Sequence, residues 1–395
     1  MAILSLPDLL DRGSLAGRRV FVRADLNVPL DGDRITDDSR LRASLPTLRK
    51  LIEARARIVL ASHLGRPKGE RRPELSLAPL ATALQDVLGV PVRLAPDCVG
   101  PEVEEAVAAL AEGEILLLEN LRFHPGETAN EAAFAQALTA LADVYVNDAF
   151  GTAHRAHAST VGMVDGMDEV AAGLLLQQEL EALRFALEPE RPFVCFFGGA
   201  KVSDKIGVLQ ALIERADTIA VGGAMAYTFL AARGDEVGRS RVESDRLEDA
   251  RQMLARAEER GCSLLLPTDH VVAQRIEPDA PWQIVESIPS DAIGVDIGPA
   301  TTERYAAAAA EARTILWNGP MGVFEIDAFA RGTEGVARAV AASPARSIVG
   351  GGDSLAAVHK TGVADRIGHL STGGGASLEF IQGLTLPGVA ALDRG

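Results

Sequence analysis

Short apolar runs alternate along this chain with longer stretches whose apolar residues recur every three to four positions. Short runs of this kind read as buried strands and the longer ones as amphipathic helices, so the pattern predicts parallel sheets covered by helices. In the first half, strands are expected at 20–22, 58–61, 115–118 and 144–146. Helices are expected at 41–54, 77–88 and 131–142, the last with Asn130 as its N-cap. An extended helical pattern over 170–187 stops before Pro189 and Pro192 and reads as the helix that joins two domains. Beyond it the alternation resumes, with strands expected at 193–197, 218–221, 264–266, 294–297, 314–317 and 347–349. The second half is therefore α/β as well.

The polar residues fall at a consistent place. Arg23, Asp25 and Asn27 follow the first strand, and Ser62, His63 and Arg66 follow the second. Glu119, Asn120 and Arg122 follow the third, and Asn147, Asp148, His154, Arg155 and His157 the fourth. Open parallel sheets bind ligands outside the carboxyl ends of their strands. Four strand ends thus converge on arginines and histidines, which suit a small, multiply anionic substrate because guanidinium groups meet its oxygens two at a time.

The second half carries a different chemistry at its strand ends. Gly198-Gly199-Ala200 leads into Lys201 and Lys205, and further glycine turns stand at Gly222-Gly223-Ala224, Asn318-Gly319-Pro320, Gly350-Gly351-Gly352-Asp353 and Gly373-Gly374-Gly375. Glycines let backbone N–H groups approach a ligand closely, and Ser203 reads as the N-cap of a helix aimed at the same point. From such a helix start Lys201 and Lys205 would reach one polyanion. With Asp353, the set suits a nucleotide polyphosphate and a hard cation. Taken singly, a glycine pair is a turn and a loop arginine a solvated residue. Together the eight strand ends resist that reading.

Composition narrows the partners. At 395 residues two domains are the expectation, and a net charge of −16 argues against nucleic acid, so the arginines must be concentrated locally. Cys98, Cys195 and Cys262 form no CxxC, which speaks against a disulfide frame or a zinc site and for a reducing compartment. Cys195, inside an apolar run, reads as a small core residue. The N-terminus lacks a basic leader, and no apolar run approaches a membrane span, so a cytoplasmic protein without membrane or nucleic-acid partners is expected. His124, His270, His359 and His369 have no partner that the sequence identifies. There is no GxxxxGK[ST] loop, and the absence of GxGxxG counts against a nicotinamide-dependent dehydrogenase.

Eight motifs in order carry a family resemblance: RADLNVP at 23–29, SHLGRPK at 62–68, ENLRF at 119–123, NDAFGTAHRAH at 147–157, GGAKVSDKI at 198–206, WNGPMGVFE at 317–325, GGGDS at 350–354 and STGGGASLEF at 371–380. In order and spacing the chain resembles the phosphoglycerate kinases over nearly its whole length. The resemblance implies two doubly wound, Rossmann-like domains joined by a long helix, with a cleft between them that closes. It places a phosphoglycerate domain at 1–170, the helix at 171–188, a nucleotide domain at 189–375, and a segment at 376–395 that returns to the N-terminal domain.

It also implies Mg²⁺-dependent transfer of the acyl phosphate of 1,3-bisphosphoglycerate to ADP, by a monomer. By matching position, Asp25, Leu26, Asn27, Arg40, His63, Leu64, Gly65, Arg66, Arg122 and Arg155 would hold the phosphoglycerate. Gly199, Ala200, Lys201, Lys205, Gly222, Gly223, Asn318, Pro320, Glu325, Gly351, Gly352, Asp353 and Ser354 would hold ADP or ATP, with Glu325 on the ribose and Asp353 on magnesium. Arg40, Lys201 and the backbone N–H groups of Gly352 and Gly375 would stabilise the group in transfer. Ala224, Ala300 and the stretch 382–385 depart from the family pattern and bear on nucleotide contacts. The competing reading is a non-catalytic anion-binding or scaffold protein of the same fold, which would need the arginines but not Lys201, Asp353 and Glu325 together.

Overall fold

The computed structural model describes residues 3–394, which fall into two compact units, one of residues 3–180 with 385–394 and the other of Glu181–Leu384. In the first unit six parallel strands, β1 (Arg19–Ala24), β2 (Arg57–Ala61), β3 (Val92–Leu94), β4 (Ile115–Leu117), β5 (Val144–Asp148) and β6 (Val170–Ala172), lie in the order β3-β4-β2-β1-β5-β6. Val20 sits in register between Ile58 and Val144. Both faces of the central strands are buried, which is why they read as unbroken apolar runs. The helix Ser39–Glu53 sets Leu41, Leu45, Leu48 and Leu51 on one stripe against Val20, Val22, Ile58 and Leu60.

The second unit repeats the plan with β7 (Phe193–Phe197), β8 (Thr218–Val221), β9 (Ser263–Leu265), β13 (Thr314–Asn318), β14 (Arg346–Gly350) and β15 (His369–Ser371), ordered β9-β8-β7-β13-β14-β15. Between β9 and β13 the chain builds a separate antiparallel sheet from β10 (His270–Ala273), β11 (Trp282–Val285) and β12 (Ile293–Ile297), ordered β11-β10-β12. The strand expected at 294–297 therefore exists but belongs to this small sheet. In the same sheet β11, which pairs with β10, is largely exposed and shows no apolar run, so the sequence pattern passed over it.

Other expectations change in detail. Residues 170–172 form β6, hydrogen-bonded beside Tyr145–Asn147, and the long helix starts only at Leu174 and runs to Leu187. Asn130 does not cap the helix that follows: it is left-handed (φ 51°), and Glu131 precedes Ala132–Thr139. Strands β3 and β15 are three-residue edges with polar members, too short for a periodicity signal. Among the described residues no helix is long and apolar enough to cross a membrane.

Candidate functional site

In the first unit the site is built around Arg23. This residue lies one from the end of β1 and is fully buried. Its Nε donates to Ser159 Oγ (2.8 Å), its guanidinium donates to the Ala24 carbonyl, and its Nη2 lies 3.3 Å from His63 Nδ1. Glu127, also fully buried, accepts from Ser159 Oγ (2.6 Å) and from its N–H (3.0 Å). A buried acid thus fixes the hydroxyl that fixes Arg23. Such charges stay buried because each is hydrogen-bonded.

The neighbouring loops are tied to the same frame. Arg40 donates to Asp25 (2.8 Å), Leu26 N–H to Ser62 Oγ (2.9 Å), and Gly65 N–H to Asn27 Oδ1 (2.8 Å). Asn120 accepts the Leu64 N–H (3.2 Å) and the Arg122 N–H (3.1 Å) and donates to the Leu64 carbonyl (2.7 Å), while Arg122 donates to the Gly65 carbonyl (2.8 Å). The loops after β2 and β4 are therefore locked together before any ligand arrives.

The electrostatics are those of an anion site. Burial, then the charges of Arg23 and Arg155, push the Arg122 pKa down to about 10, which leaves it cationic at neutral pH. His63 is pushed well below its usual value by burial and by Arg23, and His157 falls to about 4 for the same two reasons, so both imidazoles are neutral. The buried Arg122 Nε has no hydrogen-bond partner among the described residues. Arg155 is half-buried and bonded to His154 (3.1 Å), whereas Arg66 stands exposed.

The second unit makes its site from backbone. Three turns touch where the strand order reverses between β7 and β13, the usual ligand position in such sheets. A Cβ on Gly198 would lie 1.9 Å from the Pro320 carbonyl oxygen, one on Gly319 2.1 Å from that of Gly198, and one on Gly223 2.5 Å from the Gly199 nitrogen. No side chain fits at these contacts. Beside them opens a cavity of about 280 Å³ lined by Gly199, Ala200, Gly223, Ala224, Tyr227, Arg241, Ile276, Gly294, Val295, Pro320, Val323, Glu325 and Asp353.

Behind this wall, Lys205 donates to Asn318 through both its carbonyl and side-chain oxygens and lies 5.5 Å from the Phe197 ring centre. Burial pushes its pKa down to about 8. Asn318 donates to the Gly350 carbonyl (2.9 Å), and Ser354 Oγ accepts the Gly319 N–H (2.6 Å). Gly351 precedes the helix Gly352–Thr361, which Gly352 opens as Gly375 opens Gly375–Ile381; both openers are exposed.

One local expectation is corrected. Ser203 is not an N-cap, since the helix is Ile206–Ile213 and Lys205 occupies the cap position without a side-chain capping bond. Ser203 Oγ instead donates to Glu243 (2.6 Å), which also accepts the N–H groups of Val202 and Ser203. An internal carboxylate therefore takes the N–H groups of Val202 and Ser203, where the expected helix start would have met a phosphate, while Gly199 and Ala200 stay on a cavity wall. Against the upward push of burial, the hydrogen bonds from Ser203 and Val202, and last the charge of the exposed Lys201, hold Glu243 below the usual carboxylate range.

The structure thus gathers Asp25, Leu26, Asn27, Arg40, His63, Leu64, Gly65 and Arg122 into one bonded set, and Gly199, Ala200, Gly223, Pro320, Glu325 and Asp353 around one cavity. Gly222 lies under the cavity wall, where a Cβ would meet Met321 Sδ at 2.5 Å. Three further residues had not been assigned. Arg23 was visible as a charge ending an apolar strand, but Glu127 and Arg241 lie in unremarkable local sequence, and only the fold brings them to their sites.

Known proteins resemble the chain throughout. The family model described as phosphoglycerate kinase matches residues 10–384. A phosphoglycerate kinase of Moorella thermoacetica is 56% identical over 395 residues, covering 99% of each chain, and one of Anaeromyxobacter dehalogenans is 57% identical over 391, covering 98% of this chain and 99% of its own. The solved phosphoglycerate kinase of Coxiella burnetii superposes with a TM-score of 0.89 at 43% identity, covering 99% of both chains.

Proposed function

The chain belongs to the phosphoglycerate kinase family, and from that premise we propose how its residues divide the work of moving the acyl phosphate of 1,3-bisphosphoglycerate to ADP. The observation that carries the division is the crowding of fixed cations in the first unit. Arg122 is desolvated, repelled by Arg23 and Arg155, and left with a buried open donor; an oxyanion relieves all three conditions. We assign Asp25, Asn27, Arg40, His63, Arg66, Arg122 and Arg155 to the phosphoglycerate, with Leu26, Leu64 and Gly65 shaping the wall. Glu127 and Arg23 position that set without needing to touch the ligand.

The glycine-walled cavity takes the nucleotide. Its lining, mostly apolar side chains and glycine backbone, fits a flat base, Glu325 fits the ribose hydroxyls, and Lys205 with Asn318, Gly351 and Ser354 fits the phosphates. The donor set also suits magnesium: Asp353 is an exposed carboxylate on the cavity wall, and one carboxylate plus phosphate oxygens is the common arrangement for that ion. Bound there, magnesium would neutralise charge on the phosphate oxygens. Arg40, Lys201 and the N–H groups of Gly352 and Gly375 supply donors for the equatorial oxygens of the transferring group. No general base is needed toward ATP, because the attacking ADP oxygen is already ionised.

Magnesium-dependent ATP formation from the acyl phosphate and ADP tests the reading. An equal rate without magnesium would remove Asp353 from its role, and no ATP at all would end the proposal. The three cysteines are free and buried, which supports a reducing compartment, and we place the protein in the cytoplasm as a monomer. Sedimentation at two concentrations checks the monomer.

A further inference from the structure

Behind the turn that carries Arg122, three side chains outside the phosphoglycerate set bring ligating atoms of different chemistry together. Asp97 offers a carboxylate oxygen, Cys98 its sulfur and His124 a ring nitrogen, all within 4.8 Å of one another. His124 Nε2 is 2.7 Å from Asp97 Oδ1, and Cys98 Sγ donates to the Glu119 carbonyl at 3.0 Å. The positions are held by the fold. Cys98 N–H donates to Asp97 Oδ1 (2.7 Å), and the His124 ring stacks on Phe134 with centres 4.8 Å apart. Cys98 is fully buried, whereas the side chains of His124 and Asp97 keep 28% and 39% of their surface in solvent, so two of the three ligands are reached from outside.

We propose that Asp97, Cys98 and His124 form a binding site for a zinc-class divalent ion, and that its occupancy acts on the Arg122 turn. Thiolate with imidazole selects zinc-class ions over magnesium, and three protein ligands plus water is a familiar zinc set. Bonds of about 2.0–2.3 Å in a tetrahedron place ligand atoms about 3.3–3.8 Å apart, so side-chain shifts on the order of 1 Å complete the sphere. Uptake exchanges the S–H bond for a sulfur–metal bond and releases one proton to solvent. Arg71, whose guanidinium lies 3.7 Å from Asp97, is the cation that a bound ion would have to displace or tolerate.

Coupling to the site follows from where the ligands are attached. Cys98 holds one end of the turn through the Glu119 carbonyl, and His124 is the residue that closes its other end after Leu121–Phe123. An ion that draws the thiol and the imidazole together withdraws the thiol from Glu119 and moves Arg122 against Gly65. The expected consequence is a higher KM for 3-phosphoglycerate. This consequence rests on the assignment of Arg122 above; metal binding does not.

The test uses the full chain, stripped of metal and titrated with Co²⁺ and Zn²⁺. One Co²⁺ per chain should bind with a thiolate charge-transfer band in the near ultraviolet that Zn²⁺ displaces. Cys98→Ser should lose the band, and His124→Gln should weaken binding by at least about tenfold. No band in the native chain, or a band that survives Cys98→Ser, overturns the site. If Cys98→Ser does not fold, the pair Asp97→Asn and His124→Gln carries the test, with unchanged Co²⁺ affinity as the overturning result. Bound Zn²⁺ that leaves the KM for 3-phosphoglycerate unchanged, or raises it equally in His124→Gln, overturns the coupling.

Discussion

The two units share a six-stranded parallel sheet yet build their candidate sites by opposite means. In the first, the candidate site is made of side chains: Arg23, Arg40 and Arg122 are fixed by Ser159, Asp25, Gly65 and, one step back, Glu127. In the second the wall is main chain, where Gly198, Gly223 and Gly319 press together beside a cavity. The sheets differ correspondingly. The second has the Rossmann order, while the first inserts β4 between β3 and β2, which brings the Asn120–Arg122 turn beside His63 and Leu64. On the proposed division of ligands, a compact polyanion meets fixed side-chain charges, whereas a nucleotide meets a shaped backbone wall with Lys205 and Asp353 at its phosphate end.

The sharpest way to break this contrast is Lys201→Ala. If an exposed lysine of the backbone-built unit serves the transition state, turnover should fall roughly 10²- to 10³-fold with little change in phosphoglycerate affinity. Near-normal turnover would end the assignment. A second test compares buried acids. Desolvation raises the Asp148 pKa to about 6 in the first unit and that of Asp296 to about 8 in the second. A carboxyl whose folded pKa lies above its unfolded value of 3.8 binds an extra proton in the native state. Its contribution is therefore greatest below pH 4 and is lost as pH rises toward 6 for Asp148.

Asp148→Asn keeps the acceptor that the Leu175 and Leu176 N–H groups use, at 2.9 and 3.3 Å. It should remove a fall in stability on the order of 1–3 kcal/mol between pH 4 and 6, read from melting curves. An unchanged pH slope would show that Asp148 ionises freely. Arg66→Ala should raise the KM for 3-phosphoglycerate by about tenfold, the loss of one charge-assisted contact; a change confined to ADP would overturn the division of ligands. The smallest effect is expected from Arg241→Leu, a few-fold change in the KM for ADP alone, because this exposed side chain lies along a wall made chiefly by backbone and apolar groups.

How much of this could be read from the residues alone depends on the range of the interaction. The central strands β1, β2, β5, β7 and β13 announced themselves because burial on both faces leaves continuous apolar runs. Arg122 and Asp353 were legible because they follow such strands. Glu127 was not: its partner Ser159 is 32 residues away, and no local pattern marks the pairing. Ser203 shows the opposite error, a good cap by type whose hydroxyl was claimed by Glu243, 40 residues on. Strand β6 was absorbed into a helix because Val170–Ala172 and Leu174–Leu187 are both apolar, and only Gly173, packed against Asp148, separates them.

The mutual contact of Gly198, Gly223 and Gly319 has a consequence for how this sequence can change over generations. Each position excludes even a methyl group because of a backbone atom contributed by another turn, so no rotamer change elsewhere can make room. Single steps away from glycine are closed at all three, and compensating pairs are closed too, since the obstruction is main chain. On the proposed assignment of this cavity, variation in nucleotide preference enters through neighbours such as Ala224, Arg241 and Ile276, which line the cavity and can be exchanged one at a time.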